Sequence, residues 1–353
     1  MEKNSKIINS KDLILITGSS GFIGKRVVAA LLEYGFSNLR CLVRPSSNLS
    51  ELNSIIGKKY KGRIKIAEGN LLSKDDCFEL TKGAKVIYHL AAGRGDKSPA
   101  SAFLNSAVTT RNLIKGASKN KELKRLVNIS SFAVYSNAKI KRGGLLDENS
   151  PTEANPETRG EAYCFAKVNQ ERIVNEYCRK YSIPYVTIRP GVVYGPGNKG
   201  IHGRIGIGTF GIFIHLGGHN KIPLSYVDNC ADAIVRAGFV GGIDYEIFNV
   251  VDDDLPTSIE FLKLYKSNVK NFKSIYIPYK LFYILCSIWE KYSKWSERQL
   301  PPAFNRNICS TYWKGNSYSN DKIKKMLGWE QKVAFKDAMR KYYDYQIAVG
   351  GKK

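Results

Sequence analysis

A chain of 353 residues, 43% hydrophobic and 24% charged, is long enough to bury one large core or two joined ones and too apolar for general disorder. Its 55 Lys+Arg against 31 Asp+Glu leave a formal charge of +24. That balance favours nucleotides, nucleotide sugars or an acidic membrane surface, whereas scattered basic residues without a recognition motif speak against nucleic acid.

Residues 12–17 (DLILIT) form an apolar run that ends in a glycine-rich turn. From Phe22 to Tyr34, Val27, Val28, Leu31 and Leu32 recur at helical spacing. Further apolar runs follow at 39–43, 64–67, 86–90, 126–130 and 185–188, alternating with helical stretches that include 101–118 and 161–181. Near-continuous apolar strands between helices predict an α/β protein with a doubly wound parallel sheet of Rossmann type. The pattern changes beyond about residue 195. Residues 195–221 are rich in glycine and read as a mobile loop over a site, followed by a strand at 246–250 and helices at 257–267, 278–295 and 330–347. The expected division is therefore a dinucleotide-binding domain over 1–190 and a smaller, interleaved substrate-binding lobe over 191–353.

The seven cysteines, odd in number and without C-x-x-C spacing, read as buried free thiols of a reducing compartment. The first twelve residues hold no apolar core of a secretory signal, and no apolar run is long enough to span a bilayer. A cytoplasmic location is the expectation.

The turn after the first strand places glycines at 18, 21 and 24 within Thr17-Gly18-Ser19-Ser20-Gly21-Phe22-Ile23-Gly24. Gly18 permits the tight turn, Gly21 lets backbone N–H groups approach a pyrophosphate, and Gly24 lets the helix pack close to the sheet. Ser20, Phe22 and Ile23 share that turn. The end of the second strand selects the dinucleotide: an acid there grips ribose hydroxyls, an arginine suits a 2′-phosphate. Here Cys41-Leu42-Val43-Arg44-Pro45-Ser46-Ser47 offers Arg44 and no acid, which favours NADP(H) over NAD(H).

Tyr163-Cys164-Phe165-Ala166-Lys167 puts a phenol and an ammonium one helical turn apart on the same face. A neighbouring cation favours phenolate, so Tyr163 becomes a usable acid or base for a hydroxyl/carbonyl pair. With TGSSGFIG at 17–24, HLAA at 89–92, ISSFAVY at 129–135, RPGVVYGPG at 189–197, SYVDNCADAI at 225–234 and KMLGW at 325–329, the chain resembles the extended short-chain dehydrogenase/reductase family of NAD(P)-dependent epimerases and dehydratases. The resemblance covers nearly the whole chain. It implies that Ser131, with Ser130 as its adjacent rival, polarises the substrate oxygen, that Tyr163 is the acid/base, and that Lys167 binds the nicotinamide ribose while tuning Tyr163. It further implies that Leu90, Ala91 and Ala92 line the cofactor's path, that Pro190 and Val193 approach the nicotinamide, and that Asn70 and Leu71 sit by the adenine. Asn70 stands where the family usually has Asp. A homodimer formed through the helix carrying Tyr163 and its neighbour is also implied.

The reaction so implied is reversible oxidation of a secondary alcohol, alone or as half of an epimerisation. Nucleotide sugars are the first substrate expectation, with Lys199, Arg204 and Lys221 as candidates to hold a diphosphate. Dehydration is disfavoured, because Phe132-Ala133 replaces the Asp-Glu pair common in the family's dehydratases. The four histidines have no ligand-like spacing, so no metal is expected, and His89 reads as structural. Residues 276–295, apolar and aromatic and then basic, are similar to a stretch in hydroxysteroid dehydrogenase-like members. They fit either a helix packed on the substrate pocket or one lying at a membrane interface, and the second would suit a hydrophobic alcohol or ketone. A non-catalytic cofactor sensor is the remaining alternative, against which Ser131, Tyr163 and Lys167 argue.

Overall fold

The computed structural model describes residues 5–57, 59–93, 98–137, 139–198, 200–297, 299 and 305–350. The N-terminal half alternates strand and helix: β1 (Ile14–Thr17), α1 (Phe22–Glu33), β2 (Leu39–Val43), α2 (Ser50–Ile56), β3 (Ile64–Glu68), α3 (Lys74–Thr81) and β4 (Val86–His89). Next come α4 (Pro99–Phe103), α5 (Thr109–Ala117), β5 (Arg125–Ile129), the short β6 (Leu145–Leu146), α6 (Ala162–Lys180) and β7 (Tyr185–Pro190). The second half holds β8 (Val192–Tyr194), β9 (Gly206–Thr209), β10 (Ile212–His215), β11 (Leu224–Tyr226), α7 (Val227–Phe239) and β12 (Ile247–Val250). It continues with α8 (Ser258–Asn268), β13 (Ser274–Tyr276), α9 (Tyr279–Trp295), α10 (Arg306–Trp313), β14 (Ser317–Tyr318), α11 (Asp321–Leu327) and α12 (Phe335–Gly350).

Seven parallel strands make the central sheet, in the order β12-β7-β5-β4-β1-β2-β3. Its inner strands are mostly apolar because helices cover both faces, which explains the apolar runs in the sequence; the polar residues among them, such as Thr17, His89 and Asn128, are themselves buried. On one face Val27, Val28 and Leu31 of α1 pack with Cys230, Ile234 and Val235 of α7. On the other, Leu113, Ile114, Val174 and Cys178 of α5 and α6 pack on Leu15, Ile87 and Leu126. The strand order reverses between β1 and β4, so the crevice at their carboxyl ends is the natural seat for a ligand.

Residues 191–353 do not separate cleanly from this core. β12, α7 and Trp329 belong to the Rossmann layer, where the indole Nε1 donates to the Asn229 carbonyl at 3.1 Å. The smaller lobe has its own core of Tyr194, Leu224, Phe261, Tyr265, Met339 and Tyr342. The glycine-rich stretch expected to be a mobile loop is in part a β-hairpin. Phe210 (φ 46°) and Gly211 (φ 75°) make the two-residue, left-handed turn between β9 and β10, and β13 adds a third strand. The helix expected over 101–118 is likewise interrupted, by a wide π turn at Leu104–Val108. All seven cysteines are free and buried. Among the described residues, no helix is long and apolar enough to cross a membrane.

Candidate active site

The glycine turn is held by backbone that leaves no room for side chains. Gly18 has φ 70°, its carbonyl accepts from the Gly21 N–H at 3.0 Å, and a Cβ on Gly18 would stand 2.8 Å from the Ala91 nitrogen. A Cβ on Gly24 would overlap the Gly18 carbonyl oxygen outright. α1 begins after Gly21 with no side-chain cap and no acid in its first turn, so its first N–H groups are free for an anion. Ser20, Phe22 and Ile23 are half-buried there, Ile23 against the sheet core and Phe22 against the core of the second lobe. These features fit a dinucleotide pyrophosphate.

Neighbouring strand ends frame the same crevice. Thr17 Oγ1 meets His89 Nδ1 at 2.8 Å and accepts from the Ala91 N–H at 3.2 Å, while His89 Nε2 meets Thr110 Oγ1 at 2.8 Å. Burial draws the His89 pKa down to about 3, so the imidazole is neutral and structural. Leu90, Ala91 and Ala92 follow β4, half-buried. Arg44 is exposed at the carboxyl end of β2, its N–H bonded to Ser47 Oγ at 3.1 Å. Asn70 is exposed beyond β3, but its Oδ1 already accepts from the Leu72 N–H at 3.0 Å. Leu71 is buried in the core beneath, with its carbonyl accepting from Asn112 Nδ2 at 3.2 Å.

The end of β5 and the start of α6 carry the expected catalytic residues. β5 ends at Ile129, so Ser130 and Ser131 emerge at the sheet's carboxyl edge, and Ser131 Oγ accepts from the Ala133 N–H at 3.1 Å to start a 3-10 turn. Tyr163 lies in the first turn of α6. It is 37% exposed, open to solvent on one side, yet protein crowds the phenol elsewhere and that burial raises its pKa. The nearby Ser131 hydroxyl pulls the pKa the other way. Lys167, one turn on, is buried; its Nζ donates to the Ile129 carbonyl at 2.7 Å and to Gln170 Oε1 at 2.9 Å. Burial lowers its pKa to about 8, against a smaller opposing pull from Glu171. The counterweight on Tyr163 therefore comes from Ser131, while the ammonium expected to tune the phenol is engaged with Ile129 and Gln170. Beside them the buried Ser130 Oγ has no hydrogen-bond partner. Pro190 closes β7, and Val193 lies half-buried in β8.

The three substrate candidates fare differently. Lys199 lies outside the described residues. Lys221 is exposed, its backbone bridged to Thr257. Arg204 is buried: it donates to the Thr311 carbonyl at 3.0 Å and stacks over Tyr312 with its guanidinium carbon 5.2 Å from the ring centroid. Tyr312 donates to Glu161 Oε1 at 2.6 Å, and Glu161 pairs with the fully buried Arg159, which also faces the Tyr312 ring. Sequence reading missed this Arg159–Glu161–Tyr312 group. Glu161, two residues before Tyr163, was open to notice; nothing local points to Tyr312. Also missed was the chain that anchors Lys167, in which Gln170 Nε2 donates to Asn128 Oδ1 at 3.0 Å.

Residues 14–250, more than half of the chain, match the model of the NAD dependent epimerase/dehydratase family. N-acetyl-alpha-D-glucosaminyl-diphospho-ditrans,octacis-undecaprenol 4-epimerase of Escherichia coli O157:H7 is 27% identical over 278 residues, 76% of this chain and 76% of the relative. The dTDP-D-glucose 4,6-dehydratase of Dictyostelium discoideum is 29% identical over 69% of this chain and 62% of the relative. Among solved structures, UDP-glucuronic acid 4-epimerase from Bacillus cereus, in complex with UDP-glucuronic acid and NAD, superposes with a TM-score of 0.69. That match has 18% identity and covers 96% of this chain and 99% of the other.

Proposed function

We propose, from the premise that this chain belongs to the NAD dependent epimerase/dehydratase family, that it oxidises and re-reduces a secondary alcohol on a nucleotide sugar. One observation carries the reading: the partly exposed Tyr163 at the start of α6 lies near enough to the Ser131 hydroxyl for that hydroxyl to favour its phenolate, in the crevice beyond the glycine cradle, where the sheet order reverses. The named activities of the E. coli, Dictyostelium and Bacillus relatives support it.

The cradle of Gly18, Gly21 and Gly24 would hold the pyrophosphate, Arg44 the adenosine ribose, and Lys167 the nicotinamide ribose, with Pro190 and Val193 beside the nicotinamide. When bound, the cofactor supplies the hydride acceptor or donor. Ser131 offers its hydroxyl to the substrate oxygen and fixes where that oxygen lies relative to the phenol. Tyr163 moves the proton at its phenol oxygen. Its raised pKa keeps it protonated at neutral pH, which suits giving a proton to a carbonyl oxygen, and the Ser131 hydroxyl is the group that favours the phenolate when the proton has left. Arg204, beside Tyr312 and Arg159, would be the cation that meets a diphosphate in the second lobe. Arg44, with Ser46 and Ser47 beside it, supports NADP(H) as the preferred cofactor. A homodimer would form through α6, the helix carrying Tyr163, and its neighbour, beside which Leu104 is 42% exposed.

The test is turnover of UDP- and dTDP-hexoses followed by chromatography of the sugar, with Tyr163→Phe as control. Interconversion of C4 epimers, lost in Tyr163→Phe while dinucleotide affinity stays within about twofold, supports the reading. Equal turnover by the variant would remove Tyr163 from the chemistry. Cofactor binding with no turnover of any alcohol or ketone would leave a sensor.

A further inference from the structure

α9 is apolar on two sides, and among the described residues only one of them packs inside the protein. Phe282 and Cys286 are buried and pack with Leu216, Cys309 and Trp313. At about 100° per residue, Leu281, Ile284, Leu285, Ile288, Tyr292 and Trp295 fall on a different side, spaced i, i+3, i+4, i+7, i+11 and i+14. These six are between 44% and 78% exposed. Such a stripe would ordinarily face a core. Its neighbours extend it: Ile275 pairs in register with Ile214, whose side chain faces α9, and Ile275 is 57% exposed. Ile212, two residues before Ile214 and so on the same face of the little sheet, is 37% exposed.

We propose that this outer face of α9 seats the protein on an anionic lipid bilayer, with the helix lying in the plane of the interface. Charge decides the occupant. Lys280, Lys291 and Lys294 are all exposed and fall along one border of the stripe. The helix has one acidic residue, Glu290, and it is turned away, bonded to Arg306 Nε at 2.8 Å. A second copy docked on this stripe about a two-fold axis would set one lysine row against another with no acid between them. Anionic head groups, in contrast, meet lysines beside an apolar stripe favourably, and the +24 chain as a whole adds to the attraction. The aromatic end of the stripe, Tyr292 and Trp295, has the amphipathic rings that settle at head-group depth. The seat lies close to the chemistry: α9 packs on α10, whose Tyr312 bonds Glu161, two residues before Tyr163. The inference concerns where the protein sits and does not rest on the substrate reading.

Co-sedimentation of the full chain with phosphatidylcholine vesicles, with and without phosphatidylglycerol, tests it, alongside the emission wavelength of Trp289 and Trp295. The protein should bind the anionic vesicles, shift its emission to the blue, and release as salt rises. Ile284→Glu with Ile288→Glu should weaken binding at least tenfold. Replacing Lys280, Lys291 and Lys294 by Gln, all surface changes, should weaken it about a hundredfold without altering circular dichroism or turnover of a soluble substrate. Three results would each overturn the proposal: no binding to either vesicle, equal binding to neutral and anionic vesicles, or a dimer in sedimentation velocity that the Ile284→Glu/Ile288→Glu pair dissociates.

Discussion

Gly24→Ala separates two forces that pull in opposite directions. Gly24 lies inside α1, and alanine there gains about 1 kcal/mol of helix propensity over glycine. The new Cβ, however, would sit 2.8 Å from the Gly18 carbonyl carbon and 3.0 Å from Ser19 Cα, and would overlap the Gly18 carbonyl oxygen. Every one of those atoms is backbone, so no side chain can swing aside; α1 must retreat from the loop. Overpacking of this kind costs about 1–3 kcal/mol, enough to cancel the propensity gain or exceed it by about 2 kcal/mol. For a chain of this length that is a fall in Tm of up to about 3 °C. The larger effect is on binding. Moving α1 moves the free N–H groups after Gly21, and losing one or two hydrogen bonds to an anion costs about 2–3 kcal/mol, or thirty- to a hundredfold in Kd. Titration calorimetry with NADH and NADPH, beside a thermal melt, reads both effects. Gly116→Ala is the control, since its Cβ would meet the Cys77 carbonyl at 2.6 Å on the far side of the sheet: it should lower Tm and leave Kd alone. Unchanged affinity in Gly24→Ala would refute the assignment of the cradle.

Lys167 gives a pH test. Its pKa falls from 10.5 to about 8 on folding, so between those values the unfolded chain holds a proton that the folded chain has released. Stability from this group therefore rises with pH across that window, and the cost of the buried cation, about 3 kcal/mol, is fully present below pH 8. Lys167→Met removes that dependence. In denaturant titrations the variant should compare best with the parent below pH 8 and lose ground toward pH 10.5, and a pH-independent difference would contradict a buried ammonium. Arg44→Ala tests the cofactor preference: the ratio of NADPH to NADH affinity should fall about tenfold, and an unchanged ratio would mean that Arg44 does not meet a 2′-phosphate.

Much of the fold was legible because a parallel sheet writes its strands as short apolar-rich runs between helices, and the runs at 39–43 and 64–67, though interrupted by Arg40 and Lys65, match β2 and β3 to within a residue. The glycine turn was legible for a steric reason, since only glycine tolerates the φ of residue 18 and the approach of residue 24 to it. The hairpin at β9–β10 was hidden because its glycines read as flexibility, when Gly211 serves a tight turn and Gly206 lies under Ile214. The π turn at Leu104–Val108 left no periodic trace, yet it sets Ser106 Oγ to accept from the Gly93 N–H at 2.9 Å at the rim of the crevice. The Glu161–Tyr312 bond joins residues 151 apart, and no local pattern encodes such a meeting. α9 was ambiguous in the sequence because it is apolar on two sides, and the resolution is that Phe282 and Cys286 pack inward while the stripe from Leu281 to Trp295 does not.

One topological fact gathers most of the site. In a parallel sheet all strands deliver their carboxyl ends to the same edge, so Gly18, Arg44, Ala91, Ser131 and Val193, each just beyond a strand end or in the short strand that follows, come together although 175 positions of sequence separate the first from the last. Strand ends alone would leave that edge without an acid or base, because the residues there serve mainly as backbone and hydroxyl donors. α6 supplies the missing group from the side: it starts beside the edge, presents Tyr163 in its first turn, and carries Lys167 back to the end of β5, where the Ile129 carbonyl receives it. Tyr163 is thus the one member of the set whose position depends on a helix start, and α6 begins after Glu161 with no side-chain hydrogen bond capping it. What holds that start is tertiary. Arg159 donates to the Ala133 carbonyl at 2.7 Å just past Ser131, and Tyr312 from the second lobe bonds Glu161. The hydroxyl, the phenol and the substrate lobe are therefore tied through Arg159 and Glu161, and the geometry between Ser131 and Tyr163 follows from that tie rather than from either element alone.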